Sequence, residues 1–323
     1  MQLLGVAAGC PWTAVAQTSA KPIIGFLHSA SPGPFEALVA AFKEGLAQGG
    51  YINDQNVTIH YSWAHGQEDQ LKPEAVNLVN RPVDLIVALG GMRSAEAARA
   101  ATATIPILFI AGSDPIRAGL VSSLARPGGN ATGISNLTTE MLGKRLELLR
   151  EITGRSLPGD AKIAILVTSA PVVQMEEMEF AEKNSLVVIK HGAGRDFDRA
   201  EYDRSFDSAV KSGARALLIS ADPFFTNARK LIVELAAKHA LPAIYPWREY
   251  VETGGLGSYG PNITDEYRQI GGYAARILRG QKPMNLPVQQ PAKFDMVINS
   301  TTLKALGLTL SRITRARAIE LIE

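Results

Sequence analysis

Short apolar runs alternate along the chain with longer stretches in which apolar residues recur every three or four positions. The runs IIGFLHS, VDLIVALGG and IPILFIAGSDP are continuously apolar and rich in Ile, Val and Leu, and helical patterns such as PFEALVAAFKEGLAQGG separate them. Runs of this kind are typical of strands that are buried on both faces of a sheet. Regular alternation of such strands with helices predicts an α/β fold, in which helices flank a parallel sheet on both sides.

The same pattern begins a second time after Pro158-Gly159. The runs KIAILVTSA, LVVIKHGA and ARALLISADPF are strand candidates in this second half, and TNARKLIVELAAKHA is a helix candidate. Some strings echo those of the first half: KIAILVTSA resembles PIIGFLHSA, and LLISADP resembles LFIAGSDP. A chain of 323 residues is also too long for one ordinary hydrophobic core. We therefore predict two similar lobes, each a parallel sheet flanked by helices.

Composition and charge narrow the classes of function. The chain is 46% hydrophobic and 20% charged, which is typical of a folded globular protein. Its 33 basic and 31 acidic residues give a net charge of +2 without any basic run, so we expect no nucleic-acid partner. The single cysteine, Cys10, excludes a disulfide within the chain, and the spacing of the five histidines fits no usual zinc motif. We expect neither a metal ion nor a cofactor.

Residues 1–20 carry no charged side chain and are typical of the apolar body of a secretory signal. Ala14–Ala16 has the A-x-A form of a cleavage site, which would make Gln17 the new N-terminus, although no basic segment precedes the apolar one. We expect no lipid anchor at Cys10, because Ala7 stands where a lipoprotein signal normally has leucine. The apolar run is too short to span a bilayer. These features predict an exported, soluble mature protein.

Gly255–Gly260 spells G-x-G-x-x-G, the pattern of a dinucleotide-binding loop. That loop needs a strand before its first glycine and an acidic residue about 20 positions later. Here REYVETGG is typical of a helix with a glycine cap, and the position about 20 residues on is Arg279-Gly280. We therefore interpret the segment as a helix end, a short strand LGSYG, a turn at Pro261 and a new helix. No P-loop sequence and no G-x-S-x-G elbow occurs either.

Candidate ligand contacts lie at the ends of the predicted strands. In open α/β sheets a ligand binds outside the carboxyl ends of the strands, where hydroxyls and helix N-termini favour an anionic group such as a carboxylate. The candidates from this rule are Ser29, Ser31, Gly91, Ser94, Ser113, Asp114, Ser169, Ala170, Asp222 and Tyr245. Asp114 and Asp222 could receive an ammonium group, and Tyr245 could stack on a flat ligand. Ser29, Ser31 and Ser94 are also suited to capping helices, and both aspartates begin ordinary Asp-Pro turns.

Longer segments of the chain resemble a known family. The segments are IGFLHSASPGPFEALVAAFKEGLAQGGY, IPILFIAGSDPIRAGLVSSLARPGGNATGIS, GGLGSYGPNITDEYRQIGGYAARILRG and LPVQQPAKFDMVINSTTLKALGLTL. They are similar to the solute-binding proteins of bacterial ABC transporters, in the group whose better-characterised members bind aromatic amino acids. The resemblance runs from about Lys21 to Glu323 and implies a type I periplasmic-binding-protein fold. Such a fold has two lobes joined by three crossover segments.

The resemblance also implies where the lobes begin and end. The first lobe would hold 21–136 and 259–288, and the second would hold 137–258 and 289–323. The glycine-rich segment then becomes the second crossover, in which glycines allow hinge motion and close backbone approach. Tyr259 and Asn262, two further candidate ligand contacts, would face the cleft between the lobes.

For function, the resemblance implies an extracytoplasmic solute-binding protein of an ABC importer. It would act in the periplasm as a monomer without catalysis, close its lobes over a small polar or zwitterionic molecule such as an amino acid, and pass it to an inner-membrane permease. Two alternatives stay open: the ligand-sensing domain of a signalling or regulatory system, and an enzyme that acts on a small molecule. A repressor would carry a basic helix-turn-helix before Lys21 and an enzyme would show a reactive cluster, and the sequence shows neither.

Overall fold

Two separate β-sheets organise the chain. The computed structural model describes residues 20–136, 138–154, 161–168, 171–191 and 198–323, so the predicted signal cleavage site and Cys10 lie outside the described residues. The first sheet contains β1 (Ile23–His28), β2 (Thr58–Trp63), β3 (Leu85–Leu89), β4 (Ile107–Ala111) and β5 (Ala131–Ser135). Their order is β2-β1-β3-β4-β5, and all neighbouring strands run parallel, as predicted.

The second sheet is larger and mixed. It contains β6 (Lys162–Thr168), β7 (Val187–His191), β8 (Ala214–Ile219), β9 (Ala243–Tyr245), β10 (Gly257–Gly260), β11 (Asp295–Asn299) and β12 (Glu320–Ile322). Their order is β12-β11-β10-β9-β8-β6-β7, and the sheet departs from the predicted parallel arrangement at the antiparallel pair of β10 and β11. The reversal arises because the chain leaves the second sheet after β10, passes through the first lobe and returns from that side to form β11.

Helices flank the sheets. In chain order they are α1 (Glu36–Gln48), α2 (Glu68–Val79), α3 (Met92–Ala101), α4 (Leu142–Thr153), α5 (Pro171–Lys183), α6 (Arg199–Lys211), α7 (Pro223–Asn227), α8 (Arg229–Lys238), α9 (Arg248–Glu252), α10 (Ile263–Leu278), α11 (Ser300–Ala305) and α12 (Arg312–Arg317). Each sheet has two buried hydrophobic clusters, one on either face, which explains why a central strand such as β3, buried at all five positions, is an unbroken apolar run. The predicted α/β fold with two similar lobes is confirmed. Within the described part of the chain, no helix combines the length and the apolar character needed to cross a bilayer.

The chain passes between the two sheets three times. The first pass runs from β5 to α4, the second from β10 to α10, and the third from a 3₁₀ turn at 283–285 to β11. A β-bridge between Ile134 and Gln289 holds the first and third passes side by side. The lobe boundaries expected from the sequence stay a prediction, but strand pairing keeps Tyr259 with the second sheet, because β10 pairs with β11 as far as Gly260.

The helix α10 belongs to the first lobe, although the strand before it belongs to the second. Asn262 caps this helix, since its Oδ1 accepts a hydrogen bond from the Asp265 backbone N–H at 3.1 Å. Gly271 then allows α10 to pack closely on α1, because a Cβ at this position would lie only 2.6 Å from the Leu46 backbone nitrogen. The glycine-rich segment is therefore a strand, a turn and a capped helix, as interpreted from the sequence.

Candidate functional site

The carboxyl ends of the two sheets face each other across a narrow cleft between the lobes. Residues that follow β1, β3 and β4 border this cleft from the first lobe, and residues that follow β8 border it from the second. Arg93 Nη2 lies 2.7 Å from Asp222 Oδ2 across the cleft. A Cβ added at Gly91 would lie 3.4 Å from Pro223 Cγ, so the two lobes touch at this point. The lobes are therefore closed on each other in this structure.

An ion-pair network of Glu68, Arg93 and Asp222 spans the cleft. Arg93 binds Glu68 of its own lobe through Nη1 and Asp222 of the other lobe through Nη2. Asp222 Oδ2 also accepts a hydrogen bond from Thr168 Oγ1 at 3.0 Å, and its Oδ1 caps α7 by accepting from the Phe224 N–H at 2.8 Å. The Asp222 side chain is only 3% exposed. The predicted ammonium acceptor is therefore engaged by a cation of the protein itself.

Sequence reasoning missed Arg93 and Glu68. Arg93 lies in the first turn of α3, directly after the N-cap Gly91 and Met92. A cation in the first turn of a helix opposes the helix dipole, so its position is a signal that an anionic partner lies nearby. The partner itself could not be read from the sequence, because Asp222 is 129 positions away.

Two of the candidate serines carry hydroxyls without a partner. Ser94 is fully buried and Ser113 is 5% exposed, and neither Oγ has a hydrogen-bond partner among the residues that the structure describes. Leaving a buried hydroxyl unpaired costs about 1–3 kcal/mol. These two groups therefore have unused hydrogen-bonding capacity beside the strand ends. The candidates Ser169 and Ala170 lie outside the described residues.

Three other candidates form hydrogen bonds within the first lobe. Ser29 Oγ donates to a backbone carbonyl oxygen at 2.7 Å, and Ser31 Oγ lies 3.2 Å from His65 Nδ1. Asp114 Oδ1 accepts from the Ile116 N–H at 2.8 Å, which is the ordinary start of an Asp-Pro turn. None of these contacts caps a helix, so the capping role considered for Ser29 and Ser31 is not found.

The two candidate tyrosines pack inside the second lobe. Tyr245 is 1% exposed and stacks on Tyr250 with ring centroids 4.8 Å apart, and Tyr259 stacks on Phe294 at 6.2 Å. Both rings join hydrophobic clusters of the second sheet, because β9 and β10 are inner strands whose side chains enter the cores. Stacking on a cleft ligand, as expected from the sequence, is not offered by this arrangement. Asn262 does border the space between the lobes.

Buried ionisable groups lie where the chain passes between the lobes. Arg145 is fully buried and donates from Nε to the Tyr259 carbonyl oxygen at 2.7 Å and from Nη1 to the Thr138 carbonyl oxygen at 3.0 Å. Burial lowers the pKa of Arg145 to about 9. Glu266 accepts from Asn136 Nδ2 at 3.1 Å, and burial raises the pKa of Glu266 to about 8. These contacts fix the backbone of the first and second passes, about which the lobes must move.

Cavities between the lobes differ in size. The space at the strand ends beside Ser29 and Arg93 is about 10 Å³, and the space near the crossovers beside Gly112 and Tyr267 is about 40 Å³. Such volumes hold one to a few water molecules. A larger cavity of about 380 Å³ opens at the flank of the cleft. This flank cavity lies between Pro34, Leu38 and Asp265 of the first lobe and Arg229, Trp247 and Glu249 of the second.

The charged groups that border the cleft are suited to binding a ligand. The first lobe contributes the Arg93 guanidinium and the N-terminus of α3, and the second contributes a buried carboxylate. This arrangement suits a ligand that carries both charges. Over the described ranges, histidine, cysteine, aspartate and glutamate side chains form no group of three or more that could hold a metal ion.

The chain is similar to known substrate-binding proteins along most of its length. A family model described as "ABC transporter substrate binding protein" matches residues 30–322. The "Tyrosine-binding protein" of Clostridioides difficile (strain R20291) is 28% identical over 271 residues, which are 83% of this chain and 75% of that protein.

Solved structures extend the similarity to the arrangement of the lobes. An ABC domain in complex with L-Trp from Streptococcus pneumonia is 25% identical and gives a TM-score of 0.78, covering 94% of this chain and 100% of that one. A ligand-free, open substrate-binding protein with adhesive properties from Clostridium difficile is 26% identical and gives a TM-score of 0.61, covering 93% of this chain and 99% of that one. At nearly equal identity, the lower TM-score of the open structure agrees with the closed contact between the lobes.

Proposed function

The chain belongs to the family of ABC transporter substrate-binding proteins, and from this premise we propose that it captures an amino acid or a similar small zwitterion between its lobes. As a member of this family it works with a small ligand and a transporter permease. The observation that carries the proposal is the contact between the lobes, where the Arg93 guanidinium of the first lobe pairs with the buried Asp222 carboxylate of the second. A ligand that contacts both lobes stabilises the closed state relative to the open one.

The proposed ligand contacts are unpartnered hydroxyls and backbone amides of the first lobe and the Asp222 carboxylate of the second. The ligand carboxylate would accept hydrogen bonds from the Ser94 and Ser113 hydroxyls and from amides at the start of α3, and its ammonium would compete with Arg93 for Asp222. The ligands of the two relatives described above, tyrosine and L-Trp, support an amino acid. In this proposal the protein forms and breaks no covalent bond, and the ligand is released unchanged.

We also propose that the mature protein acts outside the cytoplasm as a monomer that binds no nucleic acid and delivers its ligand to an inner-membrane permease. The uncharged, apolar start of the sequence and the absence of a basic run support this part. Fractionation of cells that express the full chain tests the export. We expect a periplasmic protein whose mass corresponds to an N-terminus at Gln17, and an uncleaved protein in the cytoplasm would contradict it.

A thermal-shift screen of refolded, ligand-stripped protein tests the binding function. The panel holds aromatic amino acids, other amino acids, small carboxylates, nucleosides and sugars. A ligand at about 100 times its dissociation constant adds about 2.7 kcal/mol to the free energy of unfolding, which is a shift of roughly 4 °C for a chain of 323 residues. We expect amino acids to shift the Tm and to be recovered unchanged. A panel without any shift would contradict the proposal, and consumption of a shifting compound would indicate an enzyme.

A further inference from the structure

The flank cavity has the size of a small-molecule site and walls from both lobes. Its volume of about 380 Å³ lies within the roughly 300–1,000 Å³ typical of ligand pockets. Pro34 and Leu38 form its wall on the first lobe, and Trp247, which is 5% exposed, forms an apolar wall on the second. Trp247 also borders the smaller space near the crossovers, so that space and the flank cavity are neighbours.

Most charged side chains around the flank cavity are already paired. The ion pairs are Arg248 with Glu252 at 2.8 Å and with Glu320 at 2.9 Å, and Arg268 with Glu44 at 3.0 Å and with Asp265. Each of these two arginines is held between two carboxylates at the rim of the cavity. Two further charged side chains of the lining, Arg229 and Glu249, are left to determine what the cavity can bind.

Arg229 and Glu249 have no ion-pair partner among the described residues, and they do not pair with each other. Arg229 Nη1 makes only long contacts of 3.3 and 3.4 Å with the carbonyl oxygens of Thr226 and Pro34, and its Nε is buried without a partner. Glu249 Oε2 is also buried without a partner. Burial raises the pKa of Glu249. Leaving buried polar atoms such as Arg229 Nε and Glu249 Oε2 without a partner is costly, so both side chains are suited to groups that the cavity would receive.

We infer that the flank cavity is a binding site for a small zwitterion, in addition to the cleft at the strand ends. The carboxylate of the ligand binds the planar guanidinium of Arg229, its ammonium binds Glu249, and an apolar or aromatic side chain packs on Trp247. Since the first lobe closes the cavity from the other side, an occupant contacts both lobes. The inference does not depend on the ligand contacts proposed above at Ser94, Ser113 and Asp222.

Three probes with a common phenyl ring separate the two charges. L-Phenylalanine carries both, 3-phenylpropionate lacks the ammonium, and 2-phenylethylamine lacks the carboxylate. Their binding to the ligand-stripped protein is measured by calorimetry and by tryptophan emission, to which the probes do not contribute. We expect L-phenylalanine to bind more tightly than either analogue. Arg229→Met should weaken L-phenylalanine and 3-phenylpropionate by more than about tenfold, and Glu249→Gln should weaken L-phenylalanine and 2-phenylethylamine by a similar factor.

Matched variants control for charge and for folding. Lys230→Met removes an exposed cation at the position next to Arg229 and should leave all three affinities unchanged. Arg229→Lys keeps the charge but loses the planar fork of donors, so it should give an intermediate affinity for the two carboxylates. Thermal unfolding followed by circular dichroism checks that each variant is folded. If Arg229→Met does not fold, Arg229→Lys and Glu249→Gln carry the test.

The outcomes separate this site from the cleft at the strand ends. Binding at the strand ends would survive in Arg229→Met and Glu249→Gln and would weaken in Ser113→Ala. If all binding of L-phenylalanine survives in Arg229→Met and Glu249→Gln and weakens in Ser113→Ala, the flank site is overturned and the proposed function stands. If the wild-type protein binds none of the three probes at millimolar concentration, the flank site is overturned as well, and the wider screen then decides on the function.

Discussion

Arg93 is the residue that most changes the expected ligand contacts of the cleft. The sequence predicts that Asp222 accepts a ligand ammonium. In the structure, Arg93 Nη2 lies 2.7 Å from Asp222 Oδ2, and Arg93 Nη1 binds Glu68. A ligand amine must therefore displace a cation of the protein before it reaches Asp222. The same ion pair joins the lobes, so Arg93 affects both the choice of ligand and the closure of the cleft.

Arg93→Met is expected to open the ligand-free protein. Methionine keeps an aliphatic side chain of similar length but removes the charge, so the closed state loses a charged hydrogen bond worth about 2 kcal/mol. That loss shifts the equilibrium between open and closed forms by a factor of about 30. Small-angle X-ray scattering should show a larger radius of gyration. Lys144→Met, which breaks only an exposed pair with Glu147, is the control, and equal radii for the two variants would show that Arg93 does not hold the lobes.

At the scale of elements, α10 connects the packing of the first lobe to the second pass between the lobes. Its N-terminus lies at that pass, where Asn262 caps the helix, and its glycine face packs on α1. Glu266, in its first turn, bonds to Asn136 of the first pass. The close contact between α10 and α1 therefore fixes the position of two of the three connections between the lobes.

Two neighbouring glycines of α10 allow a matched test of this contact. A Cβ at Gly271 would overlap the Phe42 carbonyl oxygen, which is backbone and cannot rotate away, so Gly271→Ala should lower the free energy of unfolding by about 1–3 kcal/mol. Gly272 has no atom within 4 Å of such a Cβ, so Gly272→Ala should raise it by up to about 1 kcal/mol, because alanine favours helix. Urea unfolding measures both. Equal effects of the two changes would show that the contact with α1 is not the cause.

The whole molecule carries acidic groups in places where their charged forms are disfavoured. Glu266 lies beside the first two passes, and Glu177 of α5 is buried and accepts a hydrogen bond from Ser220 Oγ. Burial raises the pKa of both carboxyl groups to about 8. The folded protein therefore holds protons at neutral pH that the unfolded chain has released.

The free energy of unfolding should fall as the pH rises from about 6.5 to about 8. Across this range Glu177 and Glu266 are largely protonated in the folded state and ionised in the unfolded state, where a glutamate carboxyl has its ordinary pKa of 4.5. Each group contributes a slope of up to about 1.4 kcal/mol per pH unit, which ends above the folded pKa. His28 acts in the opposite direction, since burial lowers its pKa from 6.5 to about 3, but its contribution ends near the unfolded value. Urea unfolding at a series of pH values measures the slope.

Glu266→Gln isolates one of these groups. Glutamine can still accept the hydrogen bond from Asn136 but does not titrate. The slope of the free energy of unfolding against pH should therefore become shallower by the contribution of one carboxyl group. At about pH 9 the variant should be more stable than the wild-type protein, because no charge has to be buried. An unchanged slope would mean that Glu266 does not hold a proton in the folded state at neutral pH.

The sequence by itself determined the properties that depend on local patterns of burial. The apolar runs became strands because strands covered on both faces need apolar residues at every position, as in β3. The glycine-rich segment became a strand, a turn and a capped helix, because glycine and asparagine restrict what the backbone can do locally. The strand-end rule also selects Ser94 and Ser113 as ligand contacts, and that selection stays a prediction.

Only the tertiary structure decided which residues meet. Arg93 and Asp222 are 129 positions apart, and Arg145 and Tyr259 are 114 apart, so no local pattern pairs them. Tyr245 ends a strand as a ligand-stacking residue would, but its ring turns into the core against Tyr250. A sequence pattern indicates that a side chain is buried, whereas the identity of its neighbours depends on how distant elements pack.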